Sequence, residues 1–213
     1  MDKNVQIVID KKVNKTIENL KKRNMNGYYL KTKEDLHKKI SEIVPKGSLV
    51  SVGGSMTLFE TDTIEFLRSY EVTFLDRYQE GLTPEDIKKI YRDSFSADAY
   101  FASTNAITET GEIYNVDGRG NRVAAMIYGP DKIILVVGTN KIVKDLNEAK
   151  ERNRAIAAPA NVQRLNMKTP CHETGYCTNC NSPQRICNIY TVIDKQFDAD
   201  RMHVIFIDGQ YGY

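Results

Sequence analysis

Five consecutive branched apolar residues, Ile133-Ile134-Leu135-Val136-Val137, run directly into Gly138. A run without polar alternation has no side chain to turn towards water. It therefore predicts a strand buried on both faces, the kind found in parallel sheets covered by helices. The stretch is far too short to span a membrane, and nothing else in the chain is longer and as apolar. The most hydrophobic segment thus argues for an α/β fold.

The remaining pattern agrees. Val5, Val8, Ile9, Val13, Ile17 and Leu20 fall at close to helical spacing and predict a helix over about residues 3–24, ending before Asn26-Gly27. Residues 27–30, 48–52, 72–75 and 99–102 read as short strands, and 33–44, 58–68 and 142–154 as helices. Thr83-Pro84-Glu85-Asp86 is a helix start, with an N-cap Thr, Pro at the first position and acids in the first turn; this helix runs to about Phe95. Residues 189–193 and 203–207 supply two late strands. Strands alternating with helices predict a mostly parallel sheet flanked by helices. The length suits a single domain over residues 1–213, carrying the N-terminal helix and a cysteine-rich insertion at 169–188.

All four cysteines fall in that insertion, as Cys171-x5-Cys177-x2-Cys180-x6-Cys187, with Gly, Pro, Ser and Asn between them. Such residues let the backbone fold back so that side chains converge. Four converging thiolates suit a tetrahedral zinc or an iron–sulfur cluster. The spacing is neither the bacterial ferredoxin run nor the paired C-x2-C of zinc ribbons, so it leaves the metal open. Disulfides are disfavoured, because no signal peptide is recognisable and reduced cytoplasmic thiols are expected. His172, inside the segment, is an alternative ligand; His37 and His203 have no evident partner.

Lys+Arg 30 against Asp+Glu 28 leaves a net charge of +2, which offers no electrostatic case for nucleic acid. The expected partner is instead a small anionic metabolite, with a homodimer allowed.

Two loops carry the chemistry for such a ligand. Gly53-Gly54-Ser55-Met56-Thr57 joins a strand to a helix, where an α/β sheet presents its ligand edge. Glycines allow close approach, the helix N-terminus offers N–H groups, and Ser55 and Thr57 add hydroxyls. The loop is neither a Walker loop nor G-x-G-x-x-G. The second, from Thr104 to Arg122, reads as a bent strand or hairpin bearing Asn105, Glu109, Asn115, Asp117, Asn121 and Arg122. Arg122 would clamp an anion, and Glu109 or Asp117 would serve as general base. Ordinary Asx-turn chemistry explains Asp117-Gly118 equally well. Asn140 and Lys141, after the buried strand, are placed to face the same cleft, though an N-cap turn also accounts for Asn140.

The segments 51–58, 103–111 and 115–124, with Pro170 to Cys187 and the Gly212-Tyr213 ending, resemble the LUD (lactate-utilisation) domain family from about Lys12 onwards. The resemblance implies a fold akin to the ribose-5-phosphate isomerase, glucosamine-6-phosphate isomerase and CoA-transferase group. It also implies a link to iron–sulfur-dependent oxidation of lactate to pyruvate, alongside oxidoreductase partner subunits. Longer relatives carry ferredoxin-like cysteine runs in an added domain; this chain has only the one four-cysteine segment. The expectation is therefore a redox-linked enzyme or subunit handling a small carboxylate, with an iron–sulfur cluster, or alternatively zinc, on the four cysteines. An isomerase- or transferase-like enzyme with a structural zinc is the competing reading, and a non-catalytic metabolite-binding subunit is the third.

Overall fold

The computed structural model describes residues 2–213. In chain order, α1 (Lys3–Lys22), β1 (Asn26–Leu30), α2 (Lys33–Ile43), β2 (Leu49–Val52), α3 (Met56–Glu60), α4 (Thr63–Ser69), β3 (Thr73–Leu75) and α5 (Pro84–Asp93) form the first half. The second half comprises β4 (Ala99–Ala102), β5 (Ala106–Thr108), β6 (Ile113–Asp117), α6 (Asn121–Ile127), β7 (Lys132–Gly138), β8 (Ile142–Val143), α7 (Leu146–Arg152), α8 (Ala158–Leu165), α9 (Pro170–Thr174), β9 (Ile189–Ile193) and β10 (Met202–Ile207).

Six strands form a wholly parallel sheet in the order β1-β10-β7-β4-β2-β3. The apolar run of β7 lies in its interior, and alternate residues serve opposite faces. Ile133, Leu135 and Val137 join Val13 and Leu20 of α1 and Val123 and Met126 of α6. Ile134 and Val136 join Leu36 and Ile40 of α2, and Leu58, Ile64 and Leu67 of α3 and α4. Burial on both sides is what an unalternated run demands.

The structure departs from the sequence reading at three places. The helix expected over 58–68 is two helices, broken at Thr61-Asp62, where Asp62 takes a left-handed φ of 55°. The helix expected over 142–154 begins only at Leu146; Ile142 and Val143 instead form a strand, and the helix continues through a π-turn over Asn153–Ala157 into α8. That strand belongs to a second, mixed sheet of order β8-β5-β6-β9, in which the β5–β6 hairpin is antiparallel. Its Ile107, Ile113 and Ile193 pack into the same cluster as α1 and α6, so a sheet as well as helices covers one face of the main sheet. Among the described residues, no helix is long and apolar enough to cross a membrane.

Candidate functional site

Connections leaving β2 and β4 diverge. After β2 the chain passes to α3 and α4 on one face of the sheet, and after β4 to the second sheet and α6 on the other. A crevice opens at the carboxyl ends of neighbouring parallel strands where connections part in this way. Here a cleft of about 320 Å³ is lined by Gly54, Ser55, Ser103, Asn105, Asp117, Asn121, Arg122 and Lys141, with Arg77, Tyr91, Arg119, Asn161, Arg164 and Tyr213 at its remaining walls. Residues far apart in sequence thus meet because three strand ends and the hairpin above them share one edge.

Arg122 stands beside the cleft, but its guanidinium is spent on the protein. Nη1 donates to the Ser103 carbonyl at 2.9 Å and to Asn115 Oδ1 at 2.6 Å. Nη2 donates to Asn105 Oδ1 at 3.0 Å and to the Val116 carbonyl at 3.2 Å, and pairs with Asp117 at 2.6 Å. Asp117 also accepts from the Val123 N–H. The anion clamp and the general base expected from sequence are therefore partners of each other, fastening the β6–α6 turn to the end of β4. Gly53 belongs to the same fastening: a Cβ there would lie 2.8 Å from Tyr100 Oη and 2.9 Å from Arg122 Cγ. Its missing side chain accommodates Tyr100 and Arg122. Gly120, with φ +82°, makes the turn that delivers Arg122, and a Cβ would meet Ile189 at 2.7 Å. Asn115 is fully buried, with its Nδ2 unpartnered among the described residues.

Glu109 is not brought to the cleft. It sits at the far turn of the hairpin against α1, paired with Lys15 at 2.8 Å and Lys12 at 3.6 Å, and the Lys15 contact holds its carboxyl below the usual range. Glu109→Gln is expected to cost less than about 1 kcal/mol in thermal unfolding and to leave ligand binding unchanged, as for a surface ion pair. Asn140 likewise turns away, donating to the Gly212 carbonyl and accepting from the Tyr211 N–H. It pins the chain end so that Tyr213 reaches the cleft. The helix-terminus argument for anion binding also weakens: Ser55 does cap α3, but that helix has only five residues.

Lys141 lies at the floor, 2% exposed, with Nζ 2.7 Å from Thr57 Oγ1 and 3.1 Å from Ser103 Oγ. Burial, then the charges of Arg152 and Arg122, push its pKa down to about 7. Arg77 is a further cleft residue, absent from the sequence-based candidates. It extends from the loop after β3, lies 4.7 Å above the Tyr91 ring and 5.2 Å above Tyr78, and its Nε is buried without a hydrogen-bond partner among the described residues. Its only sequence signal was an arginine following a strand, which does not distinguish it from a surface charge. Arg164, on α8, bonds Asn161 at the rim.

The four cysteines are free thiols lining one small cavity of about 20 Å³, together with Ala158, Val162, Thr169, Arg185 and Ile186. Cys171 is buried at the start of α9, and Arg185 ties the loop together by donating to the carbonyls of Cys180 and Cys187. Burial, then the neighbouring Cys177, pushes the Cys187 thiol up to about 11. Among the described residues, no three His, Cys, Asp or Glu side chains already form a closed metal-ligand set. Four thiols bordering one cavity fit a thiolate-bound metal or cluster in donor type. Ile186 lines both this cavity and the cleft, so the cysteine loop forms part of the cleft wall. His172 contacts Glu173 and lies outside the thiol cavity. His37 and His203 stack on Phe66 and Tyr28 and serve packing.

The fold is similar to that of a DUF162 family protein from Deinococcus radiodurans, at 15% identity and a TM-score of 0.55, over 93% of this chain and 98% of that one. No curated protein matches the chain. The LUD domain matches residues 13–207, spanning both sheets and the cysteine segment. The chain belongs to the LUD domain family.

Proposed function

We propose that the cleft binds a small anionic metabolite, and that the protein is a redox-linked enzyme or subunit acting on a carboxylate such as lactate or pyruvate. The observation that carries the binding reading is Arg77. A buried guanidinium nitrogen without a partner is costly unless something pairs with it. Around it stand Arg119 and Arg164, whereas the one side-chain carboxylate lining the cleft among the described residues, Asp117, is neutralised by Arg122. The excess of positive charge calls for an anion.

A thermal-shift screen of lactate, pyruvate, sugar phosphates, CoA esters and nucleotides tests this. A true ligand at about a hundredfold excess over its Kd stabilises by about 2.7 kcal/mol. Arg77→Ala is expected to abolish the shift while lowering the unliganded Tm little, since that side chain makes no hydrogen bond among the described residues. Retention of the full shift by the variant would remove Arg77 from the site.

The redox half of the reading rests on the family relationship and the cysteine loop. Four thiolates would hold a cluster able to take and return single electrons, and Cys171, Cys177, Cys180 and Cys187 would be its ligands. Anaerobic purification is expected to give a brown protein with iron and sulfide bound, and Cys177→Ser is expected to lose both. Stoichiometric zinc would favour the isomerase- or transferase-like alternative with a structural metal. Trace metal only, with Cys177→Ser harmless, would remove the metallocentre.

A further inference from the structure

Among the described residues, Lys141 is the only lysine lining the cleft, and it has no carboxylate within ion-pairing distance. Burial and two like charges oppose a charged state. The side chain is sealed from water at 2% exposure, and Arg152 and Arg122 repel its charge, with Glu60 alone acting in the other direction. An amine meant only to hold an anion gains nothing from this, because an arginine stays charged under the same burial. An amine meant to react gains its lone pair. Its two neighbours are hydroxyls: Thr57 Oγ1, which donates its own proton to the Tyr211 carbonyl, and Ser103 Oγ, which lines the cleft and is able to accept a proton and pass one on.

We infer that Lys141 is a covalent site, whose Nζ condenses with the carbonyl carbon of an aldehyde or ketone that carries a carboxylate or phosphate group held by Arg77. This rests on the anion-binding reading of the cleft. In the step, the Nζ lone pair forms the C–N bond while the carbonyl π pair moves to oxygen. That oxygen takes one of the two amine protons, relayed by the Ser103 hydroxyl, to give a carbinolamine. The nitrogen then re-forms a double bond to carbon, and the oxygen leaves with the second amine proton as water. Amine and carbonyl become imine and water, with no oxidant or reductant consumed.

Reductive trapping tests the site. Wild-type protein is incubated with sodium cyanoborohydride and, in separate arms, pyruvate, glyoxylate and dihydroxyacetone phosphate, followed by intact-protein and peptide mass spectrometry. Thermal shifts are recorded with the same compounds without reductant. The expected result is one adduct per chain in at least one arm, at least tenfold enriched on the peptide bearing Lys141 and absent from Lys141→Met and Lys141→Arg. The carboxylate and phosphate arms distinguish the anion. A compound that stabilises the protein yet leaves Lys141 unmodified, or labels surface lysines equally, overturns the covalent site and leaves the binding reading intact. Failure of all compounds in both assays overturns both.

Discussion

Arg122→Ala is expected to destabilise the protein by about 3–5 kcal/mol, the usual cost of leaving a buried charge without its partner. Asp117 would be stranded at 7% exposure, and Asn105 Oδ1, Asn115 Oδ1 and two backbone carbonyls would lose a donor. For a chain of this size that is a fall in Tm of roughly 10 °C. Arg122→Lys is expected to recover little, because a point charge cannot bridge acceptors that a planar fork reaches. Melting curves of the two variants check this. An unliganded Tm within about 1 °C of wild type, with ligand binding lost, would return Arg122 to the role of ligand clamp.

Lys141→Met is expected to act in the opposite direction and to stabilise the unliganded protein near neutral pH. The folded pKa of about 7 lies below the ordinary lysine value of 10.5, so the unfolded chain binds more protons between those two limits. The cost of burying the ammonium is therefore fully present below about pH 7, shrinks as the pH rises, and vanishes near 10.5. Removing the amine relieves that cost but deprives Thr57 and Ser103 of a donor. The net gain is on the order of 2 kcal/mol at pH 6. Urea unfolding of both proteins from pH 6 to pH 10 is expected to show a difference that is constant up to about pH 7 and shrinks above it. A difference independent of pH would mean that Lys141 is not held near neutrality.

Local pattern determined the main sheet. An unalternated apolar run such as Ile133–Val137 can be buried only between two layers, and Thr83-Pro84 starts a helix by its own backbone chemistry, so neither needed the rest of the molecule. The second sheet was legible only in part: the hairpin after Thr104 and the strand at 189–193 carry local signals, but Ile142-Val143 is too short to carry a period, and only pairing with Ile107 and Thr108 makes it a strand. The candidate site divided in the same way. Cleft segments were visible as turn-rich loops at strand ends, because parallel strands put such loops on one edge. What each side chain does there depends on partners distant in sequence. Arg122 and Asp117 are chemistry-bearing residue types, yet their mutual pairing ties them into the scaffold, and Glu109 pairs with α1. Arg77 and Tyr213 entered the cleft only through the path of the chain. Composition and spacing could say which residue types were available for the site, but the site's charge balance was decided by which of those charges the fold leaves without a partner.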